Sequence, residues 1–136
     1  MLICCCNKQN GMKILTDLIA RILFIIPLIG FGAGHFMNAN QMAGMVPVAG
    51  GVVWVYLTGA ALLAAAVSII IKKKAALATL LLGIMLLLFA VLVWAPQLGS
   101  EDEMQSINAM SAMLKDIGLA GAAFFMSGVF SKEETA

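Results

Sequence analysis

Three consecutive lysines, Lys72, Lys73 and Lys74, divide two uncharged apolar runs. Residues 52–71 read VVWVYLTGAALLAAAVSIII and residues 75–94 read AALATLLLGIMLLLFAVLVW. Each run holds about 20 residues, which at roughly 1.5 Å per residue matches a hydrocarbon core of about 30 Å. Ammonium groups cannot rest inside that core, so the chain must surface at the lysines and turn back. The two runs are therefore expected to form an antiparallel transmembrane hairpin. Clustered lysines in a short connection also mark the cytoplasmic side.

Composition agrees with this expectation. The chain is 62% hydrophobic and only 11% charged, against about 25% charged residues in soluble domains. A net charge of +1, with no basic arm carrying interleaved aromatics, gives no reason to expect a nucleic-acid partner. Cys4, Cys5 and Cys6 are the only cysteines. They precede the first apolar run on the expected reducing side, where a structural disulfide is disfavoured. They are too crowded for a zinc site built on C-x2-C pairs. No apolar signal region precedes Cys4, which disfavours a lipid anchor. Met12-Lys13 would make a natural start, so residues 1–11 read as an extended frame or a disordered tail, and 1–13 as a cytoplasmic tail.

In order, the first span is expected at about residues 18–37. Pro27 removes a backbone donor within it and should kink the helix. Gly30 and Gly34 form a GxxxG spacing that admits a neighbouring helix. Residues 38–51, with Pro47 and Gly50-Gly51, read as an uncharged connection that dips into the interface as a short half-helical piece. Spans two and three follow at 52–71 and 75–94, and residues 95–108 read as a solvated loop with the acidic triplet Glu101, Asp102 and Glu103. A fourth span is expected at about 111–130, giving a transmembrane domain over 14–131 and a polar tail at 132–136. Four spans place Lys8, Lys13, Lys72, Lys73, Lys74 and Lys132 on one side, and the opposite connections contain no Lys or Arg. The expected fold is all-α: an integral membrane four-helix bundle, up-down-up-down, with both termini cytoplasmic. Trp54 and Trp94 then fall at the outer ends of spans two and three, as an aromatic belt requires.

Few residues in the spans could carry chemistry. Asp17 and Arg21 have the i, i+4 spacing of a helical ion pair and read as an anchor at the inner interface. His35, the only histidine, lies near the outer end of span one, and Lys115 and Asp116 lie at comparable depth in span four. Adjacent residues diverge by about 100° around a helix. Asp116 is expected to face inward while Lys115 reaches the outer headgroups. His35, Asn38, Lys115 and Asp116 are thus the candidate ligand-binding set, in a polar pocket roofed by residues 38–51. Their structural alternative is hydrogen-bonded interfacial residues. One histidine supplies neither a haem pair nor a two-histidine metal site. No CxxC, phosphate loop or serine triad is present, so neither a metal, an intrinsic cofactor nor a catalytic residue is assigned. Gly30, Gly34 and Gly121 are the candidate helix-packing glycines.

Three patches in order carry a family resemblance: residues 21–34, with an arginine early in span one followed by small residues; VYLTGAALL, residues 55–63; and MLKDIGLAGAA, residues 113–123. Together they resemble the DoxX family of small four-span bacterial membrane proteins, over about residues 14–130. Many relatives carry a glutamate just after the Thr-Gly-Ala patch, where this chain has Leu62. The resemblance implies a multi-pass protein of the bacterial inner membrane, acting as an accessory subunit of a quinone-linked redox complex without activity of its own. Its expected partners are membrane lipid and a membrane protein or a second copy, with quinone as the possible cofactor of the complex. The competing expectation is a small transporter or lipid-binding protein that uses the outer-leaflet polar pocket.

Overall fold

The computed structural model describes residues 2–44 and 50–135, with side chains from Ile14 onward. Among the described residues the chain is all helical: α1 (Leu2–Met37), α2 (Ala39–Ala43), α3 (Gly51–Ile71), α4 (Ala75–Phe89) and α5 (Glu103–Thr135). Between α4 and α5 the helix first widens into a π turn, Ala90–Trp94, and then tightens into a 3-10 turn, Ala95–Gly99. Four stretches are long and apolar enough to cross a membrane: Ile14–Met37, Gly51–Ile71, Ala75–Gly99 and Glu103–Thr135. They are the spans of a multi-pass membrane protein, compatible with a helical bundle.

Three boundaries differ from the sequence expectation. The backbone of α1 extends to Leu2, through residues assigned above to a tail. Helix continues through residues 95–99, and α5 begins at Glu103 rather than near residue 111. The cause is local. Asp102 Oδ1 accepts hydrogen bonds from the Met104 and Gln105 amides at 3.0 and 3.4 Å, an N-cap on the first turn of α5. Glu103 adds a negative charge where the helix dipole favours one. The acidic triplet therefore starts a helix instead of filling a loop. At the connection before α3, Ala43 comes close to Gly51, where a Cβ would meet the Ala43 carbonyl oxygen at 2.7 Å. Only glycine fits there. Pro47, at the centre of that expected half-helical piece, lies outside the described residues.

The core draws from every long helix: Phe24 and Leu28 of α1, Leu62 and Ile69 of α3, Leu82 and Leu86 of α4, and Ala120, Ala123 and Phe130 of α5. Small residues set the spacing. Gly32 and Gly59 face each other where α1 meets α3, and a Cβ on Gly59 would lie 2.9 Å from that of His35. Gly83 of α4 lies under the Phe124 ring of α5, 2.8 Å from where a Cβ would stand. Successive contacts along α4 and α5 run in opposite directions, with Ala76 bonded to Ser127 and Trp94 to Asp116. Outside this core the helices present bare hydrocarbon, as at Leu23, Leu57, Leu88 and Phe125. Patches of that extent suit lipid or a partner helix rather than water.

Candidate functional site

Two charged clusters lie within the apolar helices, one toward each end. At the hairpin end, Arg21 is 6% exposed. Its Nε and Nη2 donate to the two carboxylate oxygens of Asp17 at 3.0 and 2.8 Å, one helical turn away. Nη2 also donates to Glu133 Oε1 of α5 at 2.7 Å. The guanidinium carbon sits 4.6 Å from the centre of the Phe130 ring, a cation–π contact. Arg21 thus fastens the start of span one to the end of span four. The planar fork of arginine is what makes the two-oxygen grip on Asp17 possible. Its Nη1 is buried and has no acceptor among the described residues.

At the other end, Asp116 is 5% exposed on α5. Its Oδ2 accepts from the Trp94 indole Nε1 at 2.8 Å, and its Oδ1 lies 3.5 Å from Lys115 Nζ. The Lys115 ammonium also lies 4.1 Å from the centre of the Phe31 ring of α1. The carboxylate thus joins α5 to the π turn, and Lys115 links the pair to α1. The path to Trp94 passes through the π turn, which adds backbone to a helical turn and rotates the following side chains. Pro96 lacks an amide hydrogen, so regular bonding cannot continue through it. The Gln97 side chain compensates by donating from Nε2 to the Val93 carbonyl at 2.8 Å. The change of register carries the indole onto Asp116.

His35 and Asn38 take a different course. The Phe31 carbonyl can only accept, so His35 Nδ1 donates to it at 2.7 Å, leaving Nε2 free of that bond. Asn38 Nδ2 donates to the Gly34 carbonyl at 3.3 Å. Both thus bond to their own helix, and among the described residues neither shares a hydrogen bond or ion pair with Asp116. His35 packs over Gly59 of α3, whereas Asp116 faces the end of the α4 segment. Phe31 touches both sides, with its carbonyl toward His35 and its ring toward Lys115.

Of the sequence-assigned set, Lys115 and Asp116 come together, and Asp17 pairs with Arg21. Glu133 and Trp94 complete the two clusters, and neither was singled out for that role from sequence. An α5 helix carried through residues 131–135 would have pointed to Glu133, which lies about one turn beyond Phe130. Gly30, Gly34 and Gly121 are not at close helix contacts among the described residues: a Cβ on any of them would meet nothing within 4 Å. Among the described residues no group of three metal-ligating side chains occurs. Two shallow apolar grooves run along the surface, one of about 270 Å³ between α3 and α4 and one of about 300 Å³ between α1 and α5.

Comparison with known proteins returns no match: no family model, no curated protein and no solved structure corresponds to this chain.

Proposed function

We propose that this protein is a DoxX-like accessory subunit of a quinone-linked redox complex, a four-helix scaffold that binds partner spans. The observation supporting this is how its buried charges are used. Arg21 is engaged by Asp17 and Glu133, and Asp116 by Trp94 and Lys115, so both clusters act as fasteners between helices of one chain. Gly30 and Gly121 are meanwhile exposed and Gly34 half-buried, and open space before each gives a partner helix room to approach closely. In this reading the helices run up-down-up-down in a bacterial inner membrane, and the one-sided lysines favour cytoplasmic termini. A quinone belongs in this reading to the complex. Lys115 Nζ and the free His35 Nε2 are the hydrogen-bonding groups this chain offers its head.

The test is purification from native membranes in mild detergent, followed by mass spectrometry of what accompanies the protein. A stoichiometric redox partner is expected, and Gly30→Leu with Gly34→Leu should remove it while leaving the fold unchanged. Asp116→Asn should retain the partner. A partner-free protein that moves an amphipathic solute, and stops doing so as Asp116→Asn, would overturn this reading in favour of a transporter.

A further inference from the structure

The lysine hairpin lies about one helical turn beyond the near end of the groove between α3 and α4, at Ser68 and Ala78. Lys72, Lys73 and Lys74 are all exposed, and none belongs to an ion pair among the described residues. Of the acids toward that end, Asp17 and Glu133 are held by Arg21, while Glu134 is exposed at the end of α5. The Ser127 hydroxyl donates to the Ala76 carbonyl at 2.8 Å, so the end of α5, with exposed Lys132, lies beside the start of α4. Four lysines thus gather at one end of the molecule. The first turn of α4 adds its amides there, because Lys74 provides no side-chain cap.

The turn itself is held in an unfavourable conformation. Lys72 and Lys74 adopt φ values of 56° and 53°, the left-handed region that glycine or asparagine occupies at lower cost. These are the only non-glycine residues with positive φ among those described. Lysine is therefore present where the backbone alone would favour another residue.

Directly toward the membrane interior, the groove between α3 and α4 is lined by Ala61, Ala64 and Ser68 on one wall and Ala78, Leu81 and Met85 on the other. Alanines leave it wide, and its sole polar lining residue, Ser68, is at the lysine end. From Lys72 back to Ala61 the helix rises roughly 16 Å at about 1.5 Å per residue. That is about half of a 30 Å hydrocarbon core, the depth of one leaflet.

We infer that this surface is a binding site for an anionic phospholipid. Its phosphate sits among Lys72, Lys73 and Lys74 at the start of α4, and one acyl chain lies in the α3–α4 groove. The charge of the hairpin selects an anion, and an apolar groove ending one leaflet deep selects a single chain attached to it. A juxtamembrane lysine contributes attraction worth about fivefold in affinity, and the groove confines the lipid to one side of the molecule. The site lies at the opposite end from Asp116 and His35 and does not depend on the accessory-subunit proposal.

The test uses the full chain in detergent micelles, with bound lipid counted by native mass spectrometry. Phosphatidylglycerol should bind at least tenfold more tightly than phosphatidylcholine with the same chains. Free glycerol phosphate should not compete, because it lacks the acyl chain. Lys72→Asn with Lys74→Asn should lower phosphatidylglycerol affinity about 25-fold at about fivefold per charge while raising the unfolding temperature, since asparagine suits the left-handed turn. Opposite movements of affinity and stability exclude misfolding as the cause. Ala64→Phe should displace the chain, with Ala61→Leu as the milder variant if the first does not fold. Equal binding of the two lipids, competition by glycerol phosphate, or unchanged affinity in the asparagine variant would overturn the proposal. So would a stoichiometric disulfide between two copies carrying Ala64→Cys, which would give the groove to a protein helix.

Discussion

The Arg21 and Asp116 clusters solve the same problem with opposite charges. Arg21 is a large cation with five donors, and it gathers two carboxylates, 42% and 44% exposed, from both ends of the chain. Asp116 is a small anion that gathers one neutral donor and one cation at a looser 3.5 Å. Each ammonium or guanidinium also leans on an aromatic ring of a second helix. The arginine cluster carries two acids for one base and reaches water through those acids. The aspartate cluster pairs one acid with one base, and of these two the exposed one is Lys115. A buried cation with a long stem can be satisfied by partners that stay at the interface. A buried aspartate has no such reach, so the donors must be brought to it. That is the purpose served by the altered helical register before Trp94.

The largest effect should come from removing the guanidinium. Arg21→Met keeps the apolar stem but detaches α5 from α1. Loss of a buried ionic partner costs about 3 kcal/mol, at the low end because Asp17 and Glu133 can turn to water. Arg21→Lys should restore only part of this, since an ammonium cannot grip both oxygens of Asp17 while also holding Glu133. Reversible unfolding in mixed micelles measures both. Equal stability of the lysine variant and the parent would break the comparison, because a simple positive charge would then suffice.

Next comes Trp94→Phe, which leaves Asp116 buried with only Lys115. Loss of a hydrogen bond to a buried charged group costs about 2 kcal/mol. The π turn should also relax toward regular α geometry, visible as changed amide chemical shifts over residues 90–97. A stable variant with unchanged shifts would show that Pro96, and not the indole, dictates that turn.

These clusters also show what could be read from sequence. Lys72–Lys74 fixed the ends of α3 and α4 because charge in hydrocarbon is prohibitive, and the Asp17–Arg21 pair was visible because it is local. Glu133 lies 112 positions from Arg21, so its role depends on how α1 and α5 pack, which no local pattern states. Trp94 was legible as interfacial, but its bond to Asp116 depends on a π turn that no residue motif announced. The grouping of His35 with Asp116 relied on depth alone. Depth fixes one coordinate, and the direction around each helix sends His35 toward α3 and Asp116 toward Trp94. GxxxG spacing located glycines with open space before them, whereas the close helix contacts use Gly32, Gly59 and Gly83.

The smallest expected effect sharpens the comparison most. Phe31→Leu preserves apolar volume near Lys115 but removes the ring face, for a loss of about 0.5 kcal/mol at a partly exposed cation–π contact. Stability alone would barely register it. Position should respond more, because among the described residues Lys115 is held by two weak contacts, the ring and a 3.5 Å ion pair. Freed from the ring, the ammonium can swing toward the headgroups, so labelling of Lys115 by a membrane-impermeant amine reagent should accelerate in Phe31→Leu. Phe130→Leu at the other cluster should leave Arg21 in place, since three hydrogen bonds still hold the guanidinium. If Lys115 labelling is unchanged, Asp116 alone anchors the lysine, and the two clusters are more alike in rigidity than their hydrogen bonds indicate.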